Sequence, residues 1–247
     1  MAEALNSNEV RRYARHLVLK GIGGSGQQKL KAAKVLVIGA GGLGSPVITY
    51  LAAAGVGTLG VVDDDDVALS NLQRQTVHST ETIGMAKTAS AGAFVTALNP
   101  HVNFVPHKFR LDAENAAPLM AGYDLALDGC DNFETRVAVA AAAAKVGVPL
   151  ISGAVSMFDG QITVFAPHLA ATSGRANPSF TDLYPETPDQ ADLPSCEAVG
   201  VLGALTGVIG TLMAMEALKL ITGTGEPLIG RLLLYDGRAA RFTELNY

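Results

Sequence analysis

The sequence predicts an α/β fold: a Rossmann-like doubly wound sheet, parallel in its N-terminal part, with antiparallel strands added C-terminally. Three observations carry that prediction. The run Val35-Leu-Val-Ile38 leads straight into Gly39-Ala-Gly-Gly-Leu-Gly44 and then into a helix-like segment, Ser45 to Ala54. Gly39, Gly41 and Gly44 therefore meet the G-x-G-x-x-G pattern with a strand before it and a helix after it. Short β-branched runs then alternate with longer helical patterns, as βαβ units do. Beyond Ala154 the apolar runs follow turn residues instead of helices, so the strands there pair antiparallel.

Composition narrows the class. At 247 residues, one large nucleotide-binding domain over 1–247 fits better than two. The chain is 49% hydrophobic and 17% charged, enough for a deep core with an apolar surplus that points to a subunit face. A net charge of −5 argues against nucleic acid or an anionic membrane as partner. Two cysteines and a polar N-terminus without a signal-peptide core indicate a reducing, cytoplasmic setting without disulfides. The longest apolar run, Val201 to Met215, falls short of the ~18 residues of a spanning helix and reads as a buried helix.

The elements follow in order. Ser7 or Asn8 caps a first helix whose apolar face is Val10, Tyr13, Ala14, Leu17 and Val18. Together with the glycine-rich turn Gly21 to Gly26, taken as a mobile link, it makes an N-terminal helical arm over 1–33. The glycine loop follows the first strand, because a tight strand-to-helix turn needs permissive backbone angles and close approach of a ligand. The N–H groups that open the next helix favour an anion. Thr58 to Val62 is a second strand ending on Asp63, nineteen residues after Gly44, where doubly wound sheets bind a ribose hydroxyl. The four carboxylates Asp63 to Asp66 repel one another, so at most two face a site. The polar block Ser70 to Gln75 sits where ligand-binding loops occur. A helix opens at Gly84-Met-Ala-Lys87 and runs to Leu98.

His101 to His107 is a third strand, Leu111 to Met120 holds a short helix, and Asp124 to Asp128 is a fourth strand. Gly129-Cys-Asp-Asn132 leads into the helix Phe133 to Val146, and Pro149 to Ala154 is a fifth strand. Asp159-Gly160 reads as a hairpin turn before Gln161 to Phe165. From about 167 to 196, prolines and polar residues mark a long mobile loop. Cys196 to Ile221 is helical, and Arg231 to Tyr235 and Ala240 to Glu244 close the chain as paired strands.

Asp63 and the glycines alone suit an NAD-dependent oxidoreductase. That reading leaves Arg74, Lys87 and Asp131 without work, although each follows a strand end or opens a helix at the carboxyl edge of the sheet. Two cations and a carboxylate there suit ATP with Mg²⁺. Arginine forks phosphate oxygens, lysine acts as a point charge, and a carboxylate holds the metal. The five histidines lack metal-ligand spacing, and Cys130 reads as a buried thiol.

Several blocks occur together and in order: Arg12-Tyr-Ala-Arg-His16, Gly39 to Ser45, Asp63-x-Asp65, Leu69-Ser-Asn-Leu-Gln-Arg-Gln75, Gly84-x-x-Lys87, Asn99-Pro100, Asp128-x-x-Asp131-Asn132, Gly160 to Val164 and Gly207 to Gly210. Through them the chain resembles the MoeB/ThiF/HesA family, bacterial relatives of ubiquitin-activating enzymes, over essentially its full length. The resemblance implies ATP-dependent adenylation of the C-terminal glycine of a ubiquitin-like sulfur carrier of MoaD or ThiS type, in molybdopterin or thiamine-thiazole synthesis, by a homodimer that releases pyrophosphate.

Carried over, the nucleotide-binding positions are Gly39, Gly41, Gly42, Gly44, Asp63, Asp65, Ser70, Asn71, Leu72, Gln73, Arg74, Lys87, Asp131 and Asn132. Asp63 would hold the ribose, Asn71, Arg74 and Lys87 the phosphates, and Asp131 the Mg²⁺. Arg15 matches an arginine that reaches the phosphates of the neighbouring subunit. Cys196 matches a loop cysteine that is covalently active in some relatives and dispensable in others. A non-catalytic partner subunit of the same fold, or an enzyme adenylating another carboxylate, are the remaining alternatives. In one respect the chain departs from the family pattern. Relatives often hold zinc with two C-x-x-C pairs, whereas here two cysteines 66 positions apart cannot make a Cys₄ site, so no zinc is expected.

Overall fold

A computed structural model describes residues 4–130, 132–170, 176–186 and 199–247. Eight strands form one sheet in the order β3-β2-β1-β4-β5-β6-β7-β8. They are β1 (Lys34–Ile38), β2 (Thr58–Val62), β3 (Asn103–His107), β4 (Leu125–Asp128), β5 (Leu150–Ser156), β6 (Asp159–Phe165), β7 (Arg231–Asp236) and β8 (Arg241–Asn246). The pairs among β1 to β5 are parallel, and β5 to β8 pair antiparallel. This is the doubly wound sheet with antiparallel additions that the sequence predicts.

The central strands β1, β2 and β4 are buried on both faces, which is why they read as continuous apolar runs, whereas the edge strand β3 is partly exposed. Along β1, Val35 and Val37 join one core and Leu36 and Ile38 the other. On the first face lie α3 (Gly23–Ala32), α4 (Gly44–Ala54), α5 (Lys87–Leu98) and α9 (Gly203–Thr222). On the second lie α6 (Ala116–Met120), α7 (Phe133–Val146) and α8 (Phe180–Leu183). Helices α1 (Ser7–Arg12) and α2 (Ala14–Leu17) form the arm.

Several expectations are corrected. The first cap is Asn6, whose side chain accepts from Asn8 and Glu9 N–H while Glu9 reaches back to the Asn6 N–H. Of the proposed apolar face of that helix, Tyr13 is buried, but Val10 and Val18 are exposed. Gly23 to Gly26 open α3 instead of forming a link. Each helical glycine costs about 1 kcal/mol relative to alanine. Burial of Leu30 and of Gln27, which donates to the Ala54 carbonyl at 2.8 Å, overrides that cost.

The β5–β6 hairpin turns at Met157-Phe158, with Met157 at φ 49°, and Asp159 and Gly160 already belong to β6. Gly160 is there for packing, since a Cβ on it would collide with Ile209 of α9. Residues 171–175 and 187–198 of the long loop, including Cys196, lie outside the described residues.

Among the described residues, α9 alone is long and apolar enough to cross a membrane by length and composition. Here it packs against α4, α3, β5 and β6. Its buried Glu216 accepts the Leu228 N–H at 2.9 Å and pairs with Lys219.

Candidate functional site

The sheet order reverses between β1 and β4, so their carboxyl ends diverge and leave a crevice. A cavity of about 1170 Å³ opens there. Gly39, Gly41 and Gly42 line it beside Asp63, Asp64, Asp65, Arg74, Gln75, Lys87, Gly129, Cys130, Asn132 and Arg136. It continues over the antiparallel strands past Ala154, Gln161, Tyr184 and Tyr235.

The glycines have separate tasks. Gly39 has φ 90°, a conformation costly for any side chain. A Cβ on Gly44 would collide with the Gly39 carbonyl, so this glycine permits strand and helix to close on each other. Gly44 accordingly does not line the cavity. Gly41 does, and the wall it leaves bare faces Gln75.

Asp63 leaves the end of β2 and folds back on the loop. Its Oδ2 accepts the Ala40 N–H at 2.8 Å, and its Oδ1 accepts the Asp65 N–H at 3.0 Å. Burial pushes its pKa above the usual 3.8, against the opposing pull of Lys87 and the two N–H donors. Lys87, the first residue of α5, is 6% exposed, with Nζ 2.7 Å from Asp65 and 4.0 Å from Asp63. A lysine this deeply set is held by these carboxylates at the cavity wall.

Three of the four consecutive aspartates line the cavity, one more than their mutual repulsion predicted. Lys87 offsets that repulsion, and Asp66 turns away to Lys108 at 3.0 Å.

The polar block is divided. Leu69–Asn71 is a 3₁₀ turn, and buried Asn71 uses its carboxamide oxygen to accept the Ala68 N–H at 3.0 Å. Ser70, Asn71, Leu72 and Gln73 do not line the cavity, whereas Arg74 and Gln75 do. Arg74 Nη1 donates to the Ser70 carbonyl at 3.2 Å, which aims the guanidinium from its own turn. Arg15 is exposed on α2 and is not part of this cavity. Asp131 and Cys196 lie outside the described residues. Asn132 caps α7, accepting the Thr135 N–H at 2.8 Å. Cys130 is half-buried at the cavity wall, more open than expected.

Arg136 is missed by sequence reasoning. It is 7% exposed and donates to Ser152 Oγ at 3.0 Å, the Cys130 carbonyl at 2.6 Å and the Gly153 carbonyl at 3.1 Å. Asp128, fully buried beneath it, accepts the Cys130 N–H at 2.9 Å and the Ser152 hydroxyl at 3.2 Å. The Cys130 peptide is therefore held at both ends. One signal was available: an arginine four residues after Asn132 lies one turn into the helix that this asparagine opens.

The residues present fit a nucleoside triphosphate. Gln75 is 4% exposed, lines the cavity, and its Oε1 has no hydrogen-bond partner among the described residues. Bare glycine backbone, a helix N-terminus, Arg74 and Lys87 border the same space.

Comparison with known proteins agrees with this architecture. The ThiF family pattern matches residues 13–247. The chain is 47% identical over 238 residues to the sulfur carrier protein adenylyltransferase of Thermus thermophilus, covering 96% of this chain and 87% of that one. It is 43% identical over 247 residues to the SAMP-activating enzyme E1 of Haloferax volcanii, covering 100% and 88%. The probable adenylyltransferase/sulfurtransferase MoeZ of Mycobacterium tuberculosis is 48% identical over 235 residues, 95% of this chain. The match spans only 59% of the length of MoeZ.

Among solved structures, PaaA superposes with TM-score 0.81 at 21% identity, covering 100% of this chain and 76% of that one. Escherichia coli MccB, solved with ATP, superposes with TM-score 0.78 at 20% identity, covering 98% and 72%. These two share the fold. With the family pattern running from residue 13 to 247 and close relatives aligned along nearly the whole chain, this protein belongs to the ThiF family.

Proposed function

We propose that the chain is an ATP-dependent adenylyltransferase acting on the C-terminal glycine carboxylate of a ubiquitin-like sulfur carrier of MoaD or ThiS type. The observation that carries this reading is the convergence of the glycine loop, Asp63, Arg74 and Lys87 on one crevice in a ThiF-family chain. The name of the Thermus relative, aligned over most of both chains, supports the substrate class.

The chemistry suits these residues. A carrier's α-carboxylate, with a pKa of about 3.3–3.7, is already ionised at neutral pH and needs no general base. One carboxylate oxygen attacks the α-phosphorus while the bond to the bridging oxygen breaks, giving an acyl-adenylate and pyrophosphate. The obstacle is repulsion between anions, met by fixed cations and by positioning. Arg74 and Lys87 take the phosphate oxygens, Asp63 the ribose, and the Gly41 backbone the space beside the phosphates. Mg²⁺ would add charge neutralisation across the phosphates, held by Asp131.

The same proposal includes a homodimer in which Arg15 serves the neighbouring site, a cytoplasmic setting, and no zinc. An apolar cleft of about 650 Å³ between α4 and α9, lined by Pro46, Tyr50, Val208, Leu212 and Phe242, is the face we assign to the second copy. Its composition matches the hydrophobic surplus of the sequence.

The test is ATP–pyrophosphate exchange with carriers ending in Gly-Gly, with and without the last glycine. Exchange that depends on that glycine supports the reading, and exchange indifferent to it removes the carrier half. Arg74→Ala or Lys87→Ala should lower exchange by ~10²–10³, the scale of one preorganised charge contact. Exchange at the wild-type rate in both variants would refute the site.

A further inference from the structure

Buried polar side chains outside the expected set converge on the glycine loop, and His78 is the most informative of them. It follows the Ser70–Gln75 block and is 7% exposed. Its Nε2 lies 3.0 Å from the Ala40 carbonyl, and its Nδ1 lies 2.8 Å from Ser90 Oγ. A carbonyl only accepts, so Nε2 carries the proton and donates; neutral Nδ1 then accepts from the Ser90 hydroxyl. Burial lowers the pKa of this imidazole, and nearby Lys87 does so further, which keeps the ring in that neutral form.

Ala40 is fully buried between Gly39 and Gly41. Its N–H is held by Asp63 and its carbonyl by His78, so both ends of this residue are fixed. Ser90 stands one turn beyond Lys87 on α5, and Lys87 in turn meets Asp65 and Asp63. The contacts close a ring: Ala40, Asp63, Lys87, the first turn of α5, Ser90, His78 and back to Ala40. Such a ring fixes the separation between the two parts that would grip a phosphate chain, the glycine loop and the Lys87 ammonium.

We propose that His78 is a positioning residue that locks the glycine loop to α5, setting the distance across which ATP is bound without touching ATP itself. The inference rests on the ATP reading above. Its role belongs to one ring nitrogen, which makes it separable from simple packing. Glutamine places a donor where Nε2 stands and preserves the bond to Ala40. Asparagine mimics the Nδ1 side and cannot reach the Ala40 carbonyl.

The experiment compares His78→Gln, His78→Asn and His78→Ala in carrier-dependent ATP–pyrophosphate exchange, with ATP binding by calorimetry and a thermal melt for each. His78→Asn and His78→Ala should raise KM and Kd for ATP about tenfold, the scale of one lost buried hydrogen bond, with kcat changed less than about twofold. His78→Gln should stay within about threefold of wild type for the same constants. Equal KM values for the glutamine and asparagine variants, or a fall in Tm with unchanged KM and Kd, overturn the proposal. Should alanine fail to fold, the glutamine–asparagine contrast still decides it. A wild-type protein that neither binds ATP nor exchanges pyrophosphate refutes the ATP reading itself, and this inference with it. Wild-type exchange with ATP constants indifferent to position 78 refutes the inference alone.

Discussion

Asp63 shows at the scale of one residue how stability and function pull apart. Its carboxylate holds the glycine loop and the start of the acidic turn, yet burial makes its ionisation unfavourable. The folded pKa lies above the ordinary 3.8, so the native state keeps the proton longer than the unfolded chain does. Its contribution to stability is then fully present below the unfolded value and is lost as pH rises through the folded one. Asp63→Asn keeps an acceptor for the Ala40 N–H and carries no charge. Urea titrations should show the variant gaining on wild type as pH rises from the ordinary 3.8 toward neutrality, while its ATP affinity falls. A stability difference constant over that range removes the argument.

Residue identity was legible wherever chemistry tracks spacing. Asp63 and Lys87 were found by distance from the glycine loop and by position at a helix start. Arg136 and His78 were not, because their partners come from distant strands and helices: Ser152 is 16 residues from one, Ala40 38 from the other. Their purpose exists only once the sheet has brought those segments together.

At the scale of elements, close packing against glycine decides where α9 sits. Cβ atoms on Gly153 and Gly160 would strike Met213 and Ile209, and one on Gly210 would strike Pro46. A Cβ on Gly210 would also lie 2.5 Å from the Leu43 carbonyl, at the entrance to α4. Gly210→Ala should therefore push α4 from α9, costing about 1–3 kcal/mol in chemical denaturation, the range for overpacking. Because Leu43 directly follows Gly42, the same variant should raise KM for ATP. An unchanged denaturation midpoint would show that the helices give way freely.

Elements with an uninterrupted pattern between turn residues were read with their true limits, as β2 at Thr58–Val62 and α7 at Phe133–Val146 were. The hairpin turn and the opening of α3 were misread, since in both places packing outweighs the local turn preference of glycine. Local sequence carries propensity, whereas tertiary contacts decide it.

The whole molecule is where the dimer must be tested. If Arg15 acts on the neighbouring site, Arg15→Ala and Lys87→Ala chains are each inactive alone but complementary together. Mixed in equal amounts after subunit exchange, half the dimers are hybrids, and each hybrid holds one intact site. About a quarter of wild-type exchange activity should then return, as expected for a two-fold assembly. Activity no higher than that of either parent would place Arg15 outside the neighbouring site.

The long apolar helix α9 also bears on how the molecule is made. Gly203–Thr222 is long and apolar enough to cross a membrane by length and composition, so it depends on protein surfaces to cover it. Its shelter comes first: α4, β5 and β6 all precede it in the chain. Synthesis proceeds from the N-terminus, so the surfaces that bury this helix have left the ribosome before it emerges. The order of elements along the chain thus has the packing partners of this apolar helix made before the helix itself.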